Sequence, residues 1–149
     1  RLASGGPRSR SLPMLRSLST RIEPFAQLLL RALAGAMFSF HGMQKVLGVA
    51  TASQPELGSQ IWVGGVLELV LGPLIAVGLL TRPAAFLASG MMAVAYLQFH
   101  WKLSFADFQW APAVNKGELA ALYSVYFFWL ACAGPGARSL DQKLGLPIA

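Results

Sequence analysis

Cysteine is almost absent from this sequence, and its scarcity excludes several kinds of redox site. The 149 residues contain one cysteine, Cys132, within an apolar run. A single cysteine cannot form an intrachain disulfide, a Cys-x-x-Cys pair or a cysteine metal cluster. A membrane thiol–disulfide oxidoreductase that works through its own dithiol is therefore excluded, and we predict no metal site.

Charged residues are also scarce, and the few basic ones are unevenly placed. Asp, Glu, Lys and Arg make up 12% of the chain, about half the usual share for a soluble domain. The net charge of +6 would fit a nucleic-acid binder. However, five arginines lie in residues 1–21, and no acid appears before Glu23. This placement beside an apolar run favours membrane anchoring over nucleic-acid binding, so no nucleic-acid partner is expected.

The first 21 residues are predicted to form a basic, disordered tail. Their arginine- and serine-rich composition loosely resembles a transit peptide. We interpret the segment instead as upstream sequence and expect the start at Met14. A secretory signal is not expected, because Arg31 interrupts the apolar stretch before it reaches the usual length.

Four apolar runs predict membrane-spanning helices, of which the fourth is shorter than the others but dense in Leu, Tyr, Phe and Trp. A span needs about 20 mostly apolar residues to cross roughly 30 Å of hydrocarbon. Soluble core helices rarely run this long without a polar stripe, and no segment alternates with the period of a strand. The predicted fold is an all-α, antiparallel four-helix membrane bundle over residues 22–143, followed by a tail over 144–149, with spans over about 22–44, 61–80, 83–101 and 118–133.

The lysines and arginines outside the spans predict the orientation of the bundle. The N-terminal segment, the 80–83 turn and the C-terminal tail share eight of them, whereas the other two loops share three, namely Lys45, Lys102 and Lys116. Counted from Met14, the ratio is five to three. Because short basic loops stay in the cytoplasm, both termini are predicted to be cytoplasmic.

Ionisable residues from all four spans are predicted to fall near one end of the bundle. Such residues cost about 2.5–3.5 kcal/mol each inside a membrane on insertion scales, which makes them candidate functional residues. The set consists of His41, Lys45, Glu68, His100 and Glu118. His41 and Lys45 share a helical face, and an antiparallel second helix would carry Glu68 beside them. We therefore predict that Glu68 meets Lys45 or His41 within hydrogen-bonding distance.

Several polar residues also have purely structural interpretations. Glu68 can be a protonated or paired residue that only fixes a helix contact. Asn115 and Glu118 match a capping box, in which Asn115 would be the N-cap and Glu118 would reach back from the first turn. Arg31 can extend toward the membrane boundary, or meet Asp141 if the C-terminal tail folds back.

The order and spacing of these residues resemble the DoxX family of small membrane proteins. The matching segments are Arg31, His41-Gly42-x-x-Lys45-x-x-Gly48, Glu68-x-x-x-Gly72, Gly78-x-x-Thr81-Arg82-Pro83-Ala84-Ala85, Asn115-x-Gly117-Glu118 followed by Tyr123, and Gly134-Pro135-Gly136-x-x-Ser139-Leu140-Asp141. No single segment is specific, but their order and spacing together are. The resemblance covers roughly residues 20–143.

The resemblance implies a four-helix fold in a bacterial cytoplasmic (inner) membrane and a link to redox or oxidative-stress functions. The family takes its name from a subunit of a thiosulfate:quinone oxidoreductase. The family pattern points to eight polar residues, namely Arg31, His41, Lys45, Glu68, Arg82, Asn115, Glu118 and Asp141. Among the polar residues, His41, Lys45 and Glu68 are the candidate catalytic residues, and His41, Glu68 and His100 are the candidate cofactor-binding residues. The remaining five of the eight form a structural polar set. Expected partners are the lipid bilayer, oxidoreductase subunits and, as an alternative, a second copy of the chain.

Three functional hypotheses follow, and whether the chain is itself an enzyme stays open among them. The leading one is a membrane subunit or partner of a quinone-linked oxidoreductase. In it, His41 and Glu68 line an apolar cavity and exchange protons with a bound quinone, while Lys45 holds the anionic intermediate. The alternative is a non-catalytic scaffold or assembly factor whose buried charges specify helix pairing. The minor alternative is a haem b protein, with His41 and His100 as axial ligands at similar depth.

Overall fold

The computed structural model describes residues 11–146, and within that range the regular structure is entirely helical. The helices are α1 Ser11–Leu47, α2 Gln60–Val77, α3 Thr81–Ala95, α4 Pro112–Asn115, α5 Glu118–Ala133 and α6 Leu140–Leu144. A π-helical turn, Tyr96–Trp101, extends α3, and a 3-10 turn, Ala106–Phe108, lies in the following loop. The all-α prediction is confirmed, and a long helix occupies each of the four predicted positions.

The first helix begins earlier than the sequence predicts. It starts at Ser11, so residues 11–21 are helical where a disordered tail was expected. Residues 1–10 of that predicted tail, and residues 147–149 at the other terminus, lie outside the described residues. The apolar run covers only the part of α1 that can contact other helices. Residues 11–21 precede that run and belong to the same continuous helix.

Local signals in the sequence fix both ends of α2. The hydroxyl of Ser59 accepts a hydrogen bond from the Trp62 backbone N–H at 3.2 Å, which caps the first turn. At the other end Gly78 adopts a left-handed conformation, with φ of 74°, which favours glycine. The helix therefore ends at Val77, short of the expected Leu80.

Glycines allow α1 and α2 to pack closely in antiparallel directions. A Cβ added at Gly35 would lie 2.6 Å from the carbonyl oxygen of Gly72, and one at Gly42 would lie 2.7 Å from that of Gly65. As the residue number rises along α1, the partner's number falls along α2, so the two helices run antiparallel. These backbone-to-backbone contacts leave no space for a side chain at either position.

The other close pair is α3 with α5, which are also antiparallel. Arg82, near the start of α3, donates hydrogen bonds to the carbonyl oxygens of Ala131 at 2.9 Å and Cys132 at 2.6 Å. Seven residues further along α3, the Ser89 hydroxyl donates to the Ser124 carbonyl at 2.8 Å. The short Gly78–Leu80 turn joins α2 to α3 and makes these two helices antiparallel as well. The α1–α2 and α3–α5 pairs therefore form one antiparallel bundle.

Aromatic side chains hold the two helix pairs together in the core. Phe38 of α1 is fully buried, and its ring contacts Tyr123 and Phe127 of α5 edge to face, with centroid distances of 5.5 and 5.0 Å. Ile75 and Leu130 are also fully buried. Together with Phe127, these are the largest apolar side chains that are fully buried, and their contacts form the core of the bundle.

Among the described helices, α2 alone is both long enough and apolar enough to cross a bilayer, with 18 residues and a mean hydropathy of 1.8. The next most suitable, α5, is also apolar but has 16 residues.

For clarity, the end of the bundle where α1 ends and α2 begins is called the Lys45 end. The opposite end, where the Gly78–Leu80 turn and α6 lie, is called the Arg31 end.

Candidate functional site

A cavity of about 590 Å³ lies among the four long helices at the Lys45 end. Most of its lining is apolar and includes Phe38, Met91, Met92 and Phe99. The polar side chains that reach it are His41, Lys45, Gln60, His100, Lys116 and Tyr123. A largely apolar cavity with a few converging polar groups is the usual form of a small-molecule site.

The ion pair between Lys45 and Glu68 lies beside this cavity. Nζ of Lys45 is 2.5 Å from Oε1 of Glu68, and the side chains are 32% and 3% exposed. Gly65 makes this reach possible, since a Cβ there would lie 2.6 Å from Cβ of Lys45. The predicted contact of Glu68 is confirmed, with Lys45 as the partner.

The position of Glu68 relative to the cavity differs from the prediction. His41 and Lys45 line the cavity, but Glu68 does not. Its Oε1 faces Lys45, and its Oε2 is buried without a hydrogen-bond partner among the described residues. Glu68 can therefore affect a ligand in the cavity only indirectly, through its ion pair with Lys45, whose charged side chain lines the cavity.

Both histidines of the chain line this same cavity. Nδ1 of His41 lies 3.2 Å from Oε1 of Gln44, and Nδ1 of His100 lies 3.3 Å from the carbonyl oxygen of Asn115. These contacts orient each ring and leave Nε2 as the nitrogen available to a ligand. His41 and His100 were predicted to lie near the same end of the bundle, and both line the same cavity there.

The predicted capping box at the start of α5 is wrong. Gly117, rather than Asn115, is the N-cap residue of α5, and Glu118 is exposed. Asn115 ends α4 instead. Its Oδ1 accepts from the Gly117 N–H at 2.7 Å, and its Nδ2 donates to the Gln109 carbonyl at 2.8 Å. The left-handed residue Lys116 turns the chain between the two helices, which separates Asn115 from the cap position.

A second cluster of buried polar groups lies at the Arg31 end. The Arg31 side chain is 1% exposed and donates to the carbonyl oxygens of Pro135 and Arg138, the latter at 2.8 Å. The C-terminal segment therefore folds back as expected. However, Arg31 forms no ion pair with Asp141, and it does not extend to the surface.

Asp141 instead caps the start of α3 from a distant part of the chain. Its carboxylate is fully buried and accepts the backbone N–H groups of Leu80 at 2.6 Å and Thr81 at 2.9 Å. The backbone N–H of Asp141 donates to the Gly78 carbonyl at 2.8 Å. Arg82 and Asp141 satisfy backbone groups at helix ends, and Arg31 satisfies two carbonyl groups of the loop between α5 and α6, so this cluster has a structural role.

Three polar residues of the cavity lining were not assigned to a site from the sequence, namely Gln60, Lys116 and Tyr123. Tyr123 is the buried one among them. It is 6% exposed, and its hydroxyl has no hydrogen-bond partner within residues 11–146. The only signal for Tyr123 in the sequence was its place after Glu118 in the family pattern. It lies inside an apolar run, where a tyrosine is usually interpreted as a residue that packs in the core.

Comparisons of the sequence with known proteins identify its family. A sequence profile of the DoxX family matches residues 26–101. An uncharacterized protein of Haemophilus influenzae is 36% identical over 127 residues, which cover 83% of this chain and 93% of that protein. No solved structure matches the chain. The extent of these matches shows that this chain belongs to the DoxX family, a family of membrane proteins.

Proposed function

We propose that this protein is a multi-pass protein of the bacterial inner membrane that binds a quinone in the cavity at the Lys45 end. In this role it is a membrane subunit or partner of a quinone-linked oxidoreductase. The observation that carries the proposal is the cavity itself. It is large and apolar, it lies among four helices, and it places two histidines and a lysine where a ring with oxygen substituents would bind.

The outward faces of the helices support the membrane assignment. Large apolar side chains are strongly exposed on α1, α3 and α5 as well as on α2, for example Leu29 at 69%, Phe86 at 63% and Val125 at 70%. A soluble protein would hide most of such a surface. In a bilayer these side chains contact lipid, and the core is formed by the residues that face other helices.

Quinone chemistry matches the groups around the cavity. Reduction of a quinone to a quinol takes up two electrons and two protons, one at each carbonyl oxygen. A partner dehydrogenase would supply the electrons. An imidazolium carries an N–H at both ring nitrogens, so with Nδ1 engaged, Nε2–H of His41 or His100 can donate a hydrogen bond to a carbonyl oxygen and pass its proton to it. Lys45 places a positive charge where a reduced oxygen becomes negative.

Direct binding tests the proposal. The protein, purified in mild detergent, should bind ubiquinone-1 or menadione in isothermal titration calorimetry. Exchange of His41 or His100 for alanine should weaken the binding about 5- to 20-fold, the effect of losing one hydrogen bond to the ligand. Glu118→Gln is the matched control, because Glu118 is charged, exposed and outside the cavity lining. Equal affinity in all three variants would contradict the assigned site.

Haem b is a second candidate ligand, and one specific observation favours it. Both histidines line the same cavity, and in each the Nδ1 atom is engaged, which leaves Nε2 for axial ligation. If they ligate haem, the purified protein should be red and His100→Ala should lose the Soret band. A colourless, folded preparation from cells grown with ample haem removes this candidate.

The scaffold hypothesis predicts a different outcome. The Arg31 end uses its buried charges to satisfy backbone groups, as expected where charge fixes helix packing. A pull-down in mild detergent followed by mass spectrometry separates the two roles. Copurified dehydrogenase subunits together with quinone support the proposed function, whereas partner proteins without quinone support a scaffold.

A further inference from the structure

The cavity at the Lys45 end is open to the outside of the bundle on the side of α2 and α3. Large apolar side chains that both line the cavity and are more than a third exposed come mainly from α2, α3 and the π-helical turn that extends α3. They are Ile61, Val63, Leu67, Val94 and Phe99, together with Leu119 of α5. In contrast, Phe38 and Tyr123 line the same cavity but are buried, at 0% and 6% exposed. The open side therefore lies mainly between α2 and α3.

One face of α2 passes from the core of the bundle into this opening. Leu71 is 6% exposed and belongs to the core. On the same helical face, four and eight residues earlier, Leu67 is 40% exposed and Val63 is 46% exposed, and both line the cavity. Along α3, Ala88 is fully buried, whereas Val94, further toward the Lys45 end, is 44% exposed and lines the cavity. A gap between α2 and α3 thus opens toward the Lys45 end.

A hydrogen bond bounds this gap at its rim. Gln60, the first residue of α2, donates from Nε2 to Oε1 of Gln98 in the π-helical turn at 2.6 Å. Leu67 comes seven residues after Gln60, about 10.5 Å further along the helix axis. Because α2 is long and apolar enough to cross a bilayer, this depth falls within the hydrocarbon. The gap therefore faces lipid rather than the water beyond the rim.

The apolar side chains of the gap continue the lipid-facing surface of the bundle. Next to the gap but outside the cavity lining, Val70 of α2 is 53% exposed and Leu87 of α3 is 57% exposed. A cavity of about 590 Å³ is of the size that holds one drug-sized molecule. A quinone ring fits within that limit, whereas a long hydrocarbon tail must leave the cavity. The gap is the route on which such a tail meets only apolar side chains before it reaches the lipid.

We propose that the ligand is a prenylated membrane quinone, which enters the cavity ring first from the lipid through the gap between α2 and α3 and keeps its prenyl tail in that gap. This inference rests on the proposed quinone function and names the class of quinone. The ring then lies beside His41, Lys45 and His100, and the tail passes between the apolar side chains of α2 and α3. A quinone without a tail can use the same ring site, but only a tailed quinone needs the gap.

Gly64 offers a way to fill the gap by substitution. It lines the cavity from α2, and a Cβ added there would meet no atom of the described residues within 4 Å. In Gly64→Leu the new side chain therefore enters open space, and leucine also favours a helix more than glycine does. Gly90→Leu is the matched control. An added Cβ at Gly90 of α3 likewise meets no described atom within 4 Å, but Gly90 does not line the cavity.

A pair of ligands with the same ring tests the role of the tail. Menadione and menaquinone-4 share a naphthoquinone ring, but only menaquinone-4 carries a prenyl tail. In nanodiscs of dioleoylphosphatidylcholine, wild type should bind both with affinities, expressed as mole fraction in the lipid, within about 3-fold of each other, because the tail stays in apolar surroundings throughout. Gly64→Leu should weaken menaquinone-4 binding by at least about 10-fold and menadione binding by less than about 3-fold, whereas Gly90→Leu should weaken neither. The saturable quenching of tryptophan fluorescence measures the binding.

Photolabelling locates the tail without any substitution, so it decides even if Gly64→Leu does not fold. A menaquinone-4 analogue with a diazirine on its first prenyl unit should label peptides from α2 and α3 of the wild-type protein. An excess of menaquinone-4 should suppress this labelling. Labels confined to α1 or α5 would place the tail elsewhere and overturn the inference.

The outcomes distinguish this inference from the proposed function. If wild type binds menadione but not menaquinone-4, the cavity has no route for a tail, and a quinone function without tails stands. If Gly64→Leu binds both quinones as wild type does, or weakens both equally, the tail does not use the gap and the quinone function again stands. If wild type binds neither quinone, both fail.

Discussion

Lys45 and Glu68 form an ion pair that joins the last turn of α1 to α2, with Nζ 2.5 Å from Oε1. The two partners have unequal surroundings, since Glu68 is 3% exposed and Lys45 is 32% exposed. The buried carboxylate thus has the lysine as its partner, whereas the lysine retains access to the surroundings. This asymmetry predicts how substitutions at the two positions will behave.

Lys45→Met should destabilise the protein, and a second substitution should restore part of the loss. Removing the lysine leaves a buried carboxylate unpaired, which should cost about 1–3 kcal/mol, less than for a fully buried pair because Lys45 is partly exposed. Adding Glu68→Gln removes the unpaired charge. Thermal unfolding in mild detergent should therefore place the double variant above Lys45→Met.

The control for this pair is Lys116→Met, at an exposed lysine with no ion pair among the described residues. It should change the stability by less than about 0.5 kcal/mol. Strictly additive effects of the Lys45 and Glu68 substitutions would mean that the two side chains do not interact.

Asp141→Asn should lower the stability, although the side chain keeps its size. The Asp141 carboxylate accepts two backbone N–H groups at the start of α3, and an amide can accept with only one of its two end atoms. The unsatisfied N–H and the lost charge should cost about 1–3 kcal/mol. Thermal unfolding measures this against Asp107→Asn, the same change at an exposed loop position. Equal effects at both positions would refute the capping role.

Gly42→Ala should destabilise the α1–α2 pair, because the added methyl group would meet backbone atoms. The nearest are the backbone N of Leu69 at 2.5 Å and the carbonyl oxygen of Gly65 at 2.7 Å. The overpacking should cost about 1–3 kcal/mol. Gly90→Ala, where nothing lies within 4 Å, should instead be neutral or stabilise α3 by up to about 1 kcal/mol. A tolerated Gly42→Ala would argue against this close approach.

Reporter fusions should place the Arg31 end of the bundle in the cytoplasm. Fusions after Arg82 and after Lys143 should report the cytoplasm, and one near Ser53 should report the outside, because the basic residues are concentrated at the Arg31 end. Alkaline phosphatase activity measures the outside location, and a fluorescent protein measures the cytoplasmic one. A cytoplasmic signal at Ser53 would reverse the orientation and turn the cavity toward the cytoplasm.

The sequence predicted much of the site because depth along a helix follows directly from residue number. His41, Lys45 and His100 line one cavity, and Glu68 meets Lys45, as the helical rise and antiparallel order required. Tyr123 escaped detection because its place in the cavity lining depends on how α5 is rotated toward the other helices.

The sequence by itself determined that the chain is all-α, where its four long helices lie and at which depth each polar residue sits. These properties depend on local apolar runs, on capping residues such as Ser59 and on the fixed rise per residue. Only the tertiary structure decided that Glu68 faces Lys45 away from the cavity, and that Asp141 caps α3 rather than pairing with Arg31. Those outcomes depend on the rotation of each helix about its axis and on where the C-terminal segment folds back. Both are set by packing between residues far apart in the chain, through close contacts such as Gly42 against Gly65.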